Sequence, residues 1–424
     1  MRLGAVADDV TGACDLAGRV VEAGLPATVL LGTPDDAPGD LFEAGSGCTV
    51  VALKVRTAPD AEAASASGAA ARFLLDAGAT QLYQKYCSTF DSTPSGNIGP
   101  IADALASAVG TTATIGTPAT PGAARTQYQG TLFVDGVPLA ESPMRDHPLT
   151  PMRDSDLVRL LSPQTPAPVG LVRWQDVQRG AQAVAALVDA GHVLVDALTE
   201  TDLDVMAEAI GRIAAERPIV AAGGAGVATA LARAAVTSDP EIAPPTATLP
   251  RVPLTGRLIL AGSASAATRS QIAAFRGERH ILDPLELARG PHALTRIRDA
   301  LAAHVDPLAP VLIHASPEVA AAQAALGPNR AAALLEDALA ELAAFAVHEL
   351  GRSHLLIAGG ETSGAVTARL GLSRLRIGAQ AAPGVPWAVS SSDAGDGPRP
   401  VAVLLKSGNF GGPALFTDAW EVAP

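Results

Sequence analysis

Cysteine, aromatic side chains and long apolar runs are all scarce in this 424-residue chain. The three cysteines, Cys14, Cys48 and Cys87, are an odd number without a CxxC pair, which speaks against a disulfide framework and against a thiolate metal site. A reducing compartment is the default for such a chain. Aromatics are 3% of the residues and the formal net charge is -13, so a nucleic-acid surface of stacking platforms and cations is excluded. No apolar stretch approaches the ~20 residues that span a bilayer. Met1 leads directly into the strand-like run 3–7, without the charged leader and apolar core of a signal peptide. The protein is therefore expected in the cytoplasm, away from membranes.

Small apolar residues are what the chain has in abundance. Hydrophobic residues make up 48% and charged ones 17%, a balance that excludes wholesale disorder. At roughly 100 to 200 residues per domain the length fits two domains. Short β-prone runs alternate with longer Ala-rich helical segments, the pattern of an α/β fold in two domains, each with a mainly parallel sheet flanked by helices. Strands are expected at 3–7, 27–31, 50–55, 81–85, 113–115, 170–172, 193–195 and 219–221, then at 258–261, 311–314, 355–358 and 401–405. Thr11 is placed to cap the first helix, which Gly24 ends before Pro26. In 131–140, Asp135 and Gly136 between two apolar runs predict a hairpin with a type I′ turn. Residues 237–255 carry Pro240, Pro244, Pro245, Pro250 and Pro253, and read as a linker between a first domain, 1–236, and a second, 256–424.

Residues with chemical potential gather after the strands. In the second half, 357–364 reads as a strand, then Gly359 and Gly360, then Glu361, Thr362 and Ser363 opening a helix. Such a junction directs free N–H groups and the positive helix end outward, where phosphate is the natural ligand. An ordinary turn capped by Thr362 or Ser363 is the alternative for one such junction. The same grammar recurs at 404–412, with Lys406, Ser407, Gly408, Asn409, Gly411 and Gly412, and at 261–268, with Gly262, Ser263, Ser265 and Thr268. Three such turns in one domain point to a phosphorylated nucleotide, because ligands of open α/β sheets bind outside the carboxyl ends of strands. Lys406 is either a point charge on the phosphates or a solvated surface lysine. None of the three turns matches GxxxxGK[ST], so a P-loop is not indicated.

In the first half, Asp8 and Asp9 follow the first strand and precede a helix start. Paired carboxylates there suit Mg²⁺ coordination or proton abstraction from a hydroxyl, while either one alone serves equally as a helix cap. The run 85–97 is dense in hydrogen-bonding groups and suits a small, multiply hydroxylated ligand. Lys54 and Arg56, joined by Arg125, are placed to hold a substrate carboxylate. Cys87 has no His in its loop to activate it and reads as a small buried thiol. His147 has no metal-ligand spacing to His192 or His354, so no zinc site is assigned and the metal ligands are unknown.

Together, 7–15 (ADDVTGACD), 85–99 (KYCSTFDSTPSGNIG), 147–152 (HPLTPM), 359–364 (GGETSG), 383–387 (PGVPW) and 405–412 (LKSGNFGG) resemble the four-carbon acid sugar kinase family, in its 3-oxo-tetronate kinase branch. The resemblance runs over nearly the whole chain. It implies an N-terminal domain for the acid sugar, a C-terminal domain for ATP, an active site in the interdomain cleft and a 4-phospho-3-oxo-tetronate product. The family's ATP contacts fall on Ser263, Gly360, Glu361, Thr362, Ser363 and Gly408, with Lys406 beside them. Ala225, at a commonly serine position, and Ala264, where cysteine is frequent, depart from the family pattern. The implied reaction is direct phosphoryl transfer with ATP and Mg²⁺ as cofactors. Asp9 or Asp91 takes the proton of the terminal hydroxyl, and Asp8 is a cap or a metal contact. Lys54, Arg56 and Arg125 hold the carboxylate, and Lys85, Ser88 and Thr89 line the acceptor site. Closure about 237–255 would expel water. A sister kinase for threonate or erythronate differs by one oxygen at C3 of its substrate, and a non-catalytic sugar-acid sensor would need only the first half. The expected partners are a small sugar acid and ATP, with no nucleic acid and no membrane; homo-oligomerisation stays open.

Overall fold

The computed structural model describes residues 1–34, 41–42, 46–146, 150–239, 242, 249–317, 319–394 and 397–424. They fall into two units, Met1–Ala247 and Thr248–Pro424. Among the described residues no helix is long and apolar enough to cross a membrane.

The first unit contains β1 (Arg2–Ala7), β2 (Ala27–Leu31), β3 (Gly47–Ala52), β4 (Gln81–Lys85), β5 (Ala113–Thr117), β6 (Arg125–Tyr128), β7 (Thr131–Val134), β8 (Val137–Pro138), β9 (Val169–Val172), β10 (Gly191–Val195) and β11 (Val220–Gly223). Its main sheet runs β2-β3-β1-β4-β11-β5-β10-β9 and is parallel throughout. Parallel strands of this kind are covered on both faces by helices, which is why β3 and β4 are buried along their whole length. Val6, Val51, Leu74, Leu82, Leu105 and Val220 form one core between this sheet and the helices Asp60–Asp76 and Ile98–Val109. Each such side chain withdrawn from water contributes about 1.5–3 kcal/mol.

The register aligns the strand ends. Ala7 lies opposite both Ala52 and Lys85, and Lys85 lies opposite Gly223. The segments that follow β1, β3, β4 and β11 therefore emerge along one carboxyl edge. Beyond them, β6, β7 and β8 make a small antiparallel sheet whose turn has Asp135 at φ 52° and Gly136 at φ 83°, the two positive angles of the expected type I′ turn.

Two local expectations need correction. The third strand ends at Ala52 instead of running to Val55, because 53–58 turns away and is pinned by the Asn97 amide. The first helix, Val10–Glu22, is capped by Asp9 and not by Thr11 or Asp8: Asp9 is extended, and its Oδ1 accepts from the Gly12 N–H at 2.8 Å.

The second unit contains β12 (Arg257–Ala261), β13 (Arg279–Leu282), β14 (Val311–Ala315), β15 (His354–Ala358), β16 (Arg374–Ala382), β17 (Val385–Ala394) and β18 (Gly397–Lys406). The order is β13-β14-β12-β15-β18-β17-β16, parallel up to β18 and antiparallel from there. The motif 383–387 thus forms the turn and start of a β16–β17 hairpin. Its Trp387 is fully buried with Ile259, Leu356, Leu404 and Phe416, and its indole N–H donates to the Ala419 carbonyl at 2.7 Å. Here too the register is in line: Ala261 lies opposite Ala358, and Ala358 opposite Lys406. The chain moves from β12 to strands on one side and then returns to β15 on the other, so the crevice beyond β12 and β15 is a topological switch point, where open α/β sheets bind ligands.

Candidate active site

In the first unit, the carboxyl edge gathers a compact charged cluster. Arg56, on the turn after β3, grips Asp8 with two nitrogens, Nε at 2.9 Å and Nη2 at 2.8 Å. Its Nη2 also lies 3.0 Å from Asp9, and its Nη1 lies 4.0 Å from Asp91. One guanidinium thus faces three carboxylates from two different loops, the bidentate geometry for which arginine is suited. Burial alone would pull the Arg56 pKa down, but Asp8 and Asp9 hold it well above the ordinary value.

Asp9 is committed further. Its Oδ2 accepts from the Thr11 hydroxyl at 2.9 Å. Burial favours its neutral form, yet Arg56, Lys85, Thr11 and the Gly12 N–H outweigh it and hold the carboxyl below its usual range. Lys85 is buried at the end of β4 and donates to the Tyr86 carbonyl at 2.9 Å. Asp91 is also buried; its Oδ1 accepts from Thr89 at 2.6 Å, and its Oδ2 has the loose pair with Arg56.

The expected cation clamp is not what the structure assembles. Lys54 is exposed, Arg56 is engaged by carboxylates, and Arg125 belongs to the small sheet, where it donates to the Ala123 carbonyl and lies 3.5 Å from Asp135. Ser88 is half-buried at the mouth of the 85–91 loop. Cys87 accompanies Thr89 at 3.0 Å, and burial, aided by Asp91, pushes its thiol up to about 12, which leaves it unsuited as a nucleophile. His147 lies outside the described residues. His192 and His354 are held by Thr114 and Ser353 respectively, in keeping with structural roles.

Asn97, the last residue of the 85–97 run, and Gln164, to which no motif points, fix this edge. The Asn97 amide donates to the carbonyls of Val55 at 2.6 Å, Arg56 at 3.2 Å and Ala58 at 2.8 Å. Gln164 ties the 85–97 loop, which carries Asn97, through Ser92 and Thr93. Asn97 had a signal, a lone amide in a loop dense in polar groups, whereas Gln164 lies 72 residues from its Ser92 partner and had none.

In the second unit, the three glycine and hydroxyl turns meet. The N–H groups of Gly262 and Ser263 donate to the Ala358 carbonyl, and that of Gly359 donates to the Lys406 carbonyl. The first turn is capped by Ser265, whose Oγ accepts from the Thr268 N–H at the start of the helix Ala266–Ala274. The helix Gly360–Arg369 differs: Gly359, at φ 130°, supplies no side-chain cap, and Thr362 and Ser363 are buried inside the first turn instead of capping it. Gly360 and Glu361 are exposed at this open end, and the buried Ser363 Oγ has no partner among the described residues. The first N–H groups of such a helix are left for an anion. Gly262 is required where the turns touch, since a Cβ there would lie 2.2 Å from the Thr362 hydroxyl.

The third turn does not open a helix. It is held in place by Gln271, whose amide donates to the carbonyls of Phe410, Gly411 and Gly412. Lys406 is not solvated: it is fully buried. Among the described residues no group of three or more His, Cys, Asp or Glu side chains is arranged to hold a metal ion.

Comparison with known proteins matches residues 3–231 to a sugar-binding N-terminal domain and residues 258–416 to a nucleotide-binding C-terminal domain. These two parts define a small-molecule kinase that divides acceptor and nucleotide between separate domains. The chain is 44% identical to the 3-oxo-tetronate kinase of Burkholderia multivorans, over 98% of this chain and 96% of that one. It is 43% identical to the 3-oxo-tetronate kinase of Methylobacterium radiotolerans, over 100% and 99%. A crystal structure of a Salmonella typhimurium LT2 protein superposes with a TM-score of 0.84 at 35% identity, covering 100% of both chains. The chain belongs to the four-carbon acid sugar kinase family, in its 3-oxo-tetronate kinase branch.

Proposed function

We propose that this chain is an ATP-dependent kinase that phosphorylates the 4-hydroxyl of 3-oxo-tetronate, giving 4-phospho-3-oxo-tetronate. The observation that carries the reading is the convergence of three glycine and hydroxyl turns on one uncapped helix start in a unit of nucleotide-binding type. ATP phosphates lie against the N–H groups of Gly360, Glu361 and Thr362 and the hydroxyl of Ser363, whose own N–H closes the first turn on the Gly359 carbonyl, with Ser263 and Gly408 on the neighbouring turns. The orphaned Ser363 hydroxyl supports this placement, since a buried polar atom without a partner is costly until a ligand supplies one.

The sugar acid lies at the carboxyl edge of the first unit. Lys54, whose exposed ammonium is free of carboxylates among the described residues, meets the substrate carboxylate, and Ser88 meets a hydroxyl. Arg56 serves a different end from the one its position after a strand suggested: it holds the side chains of Asp8, Asp9 and Asp91 in place. Asp91 is the base. Both Asp9 oxygens are bonded and its carboxyl is held low, so Asp9 is the poorer proton acceptor.

The residues present fit Mg²⁺ that arrives with the nucleotide, since such ions are bound by phosphates, waters and one or two carboxylates, and Glu361 stands exposed at the helix start. When bound, the ion neutralises phosphate charge. The three free thiols, Cys14, Cys48 and Cys87, support work in the reducing cytoplasm. An ADP-release assay with a panel of four-carbon acids tests the reading, with product analysis to locate the phosphate. Turnover of 3-oxo-tetronate above threonate and erythronate, with phosphate on C4, is expected. Turnover of threonate alone would move the chain to the sister activity, and saturable binding of every acid without ADP release would make it a sensor.

A further inference from the structure

Lys406 ends β18 with its side chain at 0% exposure. Its ammonium donates to the Thr268 hydroxyl at 3.0 Å, the Ser407 carbonyl at 3.0 Å and the Gly408 carbonyl at 2.8 Å. Every donor is used, and every acceptor is neutral. The segments around it are 261–271, 358–363 and 406–412. The charged side chains they carry besides Lys406 are Arg269, turned onto the Ala264 carbonyl, and Glu361, exposed on the first turn of its helix. Burial pulls the Lys406 ammonium down from 10.5 to about 8, and no carboxylate among the described residues offsets it. A buried ion without a counter-ion is costly, and the missing charge here is negative.

The contact to Gly408 has a geometric consequence. Its carbonyl also accepts from Ser265 at 2.5 Å and from Thr268 at 3.1 Å. A trans peptide places its carbonyl and the following N–H on opposite sides, so these three donors turn the Asn409 N–H outward, on an exposed residue. The same donors polarise the peptide and strengthen that N–H as a donor.

We infer that Lys406 is a positioning residue for the nucleotide: without touching it, the ammonium locks the 408–409 peptide with its N–H presented to a phosphate and supplies the buried positive charge that the phosphates complement. This rests on the nucleotide reading above. It requires that nucleotide binding favour the protonated lysine. Above the Lys406 pKa, binding must take up a proton from solution, and affinity must fall as pH rises.

Calorimetric titration with ADP between about pH 7 and about pH 9, in buffers of different ionisation enthalpy, tests this on the unaltered chain. The expected result is a Kd that rises about tenfold across that window, with net proton uptake at its upper end. Lys406→Met is expected to bind ADP more weakly at neutral pH and without the slope. Lys406→Arg keeps its charge throughout and is also expected to lose the slope. A wild-type Kd that stays level, with no proton uptake, overturns the role whether or not the variants fold. So does a Lys406→Met protein that keeps the wild-type slope. No saturable ADP binding at any pH would remove the nucleotide reading itself, and this inference with it.

Discussion

The side-chain amide of Asn97 donates to the backbone carbonyl of Arg56, and the same nitrogen reaches the carbonyls of Val55 and Ala58. One residue at the start of the helix Ile98–Val109 therefore shapes the turn that delivers Arg56 to three aspartates. Asn97→Ala leaves these carbonyls without that donor. A loss of about 1–3 kcal/mol in urea unfolding is expected. The KM for the sugar acid is expected to rise while the KM for ATP stays near wild type, and equal rises in both would contradict the assignment of this edge to the acceptor.

Arg56 itself is the larger loss. Asp8 and Asp91 are buried, and removing their shared cation leaves carboxylates facing one another with only Lys85 near Asp9. Arg56→Met is expected to cost about 3 kcal/mol and to lower kcat at least about a hundredfold. Arg56→Lys keeps the charge but cannot make both bonds to Asp8, and is expected to recover stability only in part. Full recovery by lysine in equilibrium unfolding would show that charge alone matters.

How far these relations were legible in the sequence depends on how local they are. The alternation of strands and Ala-rich helices announced the parallel strands of both units, because apolar runs and turn residues act over a few positions. The carboxyl-edge loops were equally plain. That Asp9 and not Thr11 caps the helix was not, since the choice rests on the extended backbone of Asp9. The β16–β17 hairpin escaped because 374–382 carries two arginines and a glycine, and 385–394 holds three serines in a row, so neither reads as an apolar strand. The sequence left Lys406 either on the phosphates or in solvent, because its burial depends on Thr268, 138 residues away. Arg56 looked like a substrate clamp because its three aspartates lie on two other loops.

The contact between the turns of the second unit gives a steric test. A Cβ on residue 262 would lie 2.2 Å from the Thr362 Oγ1 and 3.2 Å from the Leu339 Cδ1. Gly262→Ala must therefore push the helix start that carries Gly360 and Glu361. The KM for ATP is expected to rise at least about tenfold, with sugar-acid binding intact. Adding Thr362→Ala removes the closer contact, and part of the ATP affinity is expected to return. Sugar-acid affinity that falls in parallel would argue for general unfolding.

Acid lability follows from Asp9. Its ordinary carboxyl value in the unfolded chain is about 3.9, and in the folded chain Arg56, Lys85, Thr11 and the Gly12 N–H hold it lower despite burial. The folded state thus gains stability from the ionised form. That gain is complete above the unfolded value and is lost as pH falls through the folded one. Urea unfolding between about pH 5 and about pH 3 is expected to show a decline that Asp9→Asn reduces. An undiminished decline in the variant would assign the acid sensitivity to other carboxyls.

The base assignment separates Asp91 from Asp9 most sharply. Asp9 spends Oδ1 on the Gly12 N–H and Arg56, and Oδ2 on Thr11, so neither oxygen is left wholly to a substrate hydroxyl. Asp91 spends Oδ1 on Thr89 and, among the described residues, leaves Oδ2 with only the 4.0 Å pair to Arg56. Asp91→Asn keeps the shape and removes the basic oxygen, and kcat is expected to fall about 10²- to 10⁴-fold with sugar-acid affinity within a fewfold of wild type. Asp9→Asn keeps a competent cap, since asparagine caps helices as well as aspartate does, and is expected to lose much less in kcat. Thr89→Val is a third arm: it frees Oδ1 of Asp91 from its hydrogen bond, and a shifted pH–rate profile is expected with much of kcat retained. Single-turnover rates for the three variants rank them directly, and a larger loss in Asp9→Asn than in Asp91→Asn would return the proton transfer to Asp9.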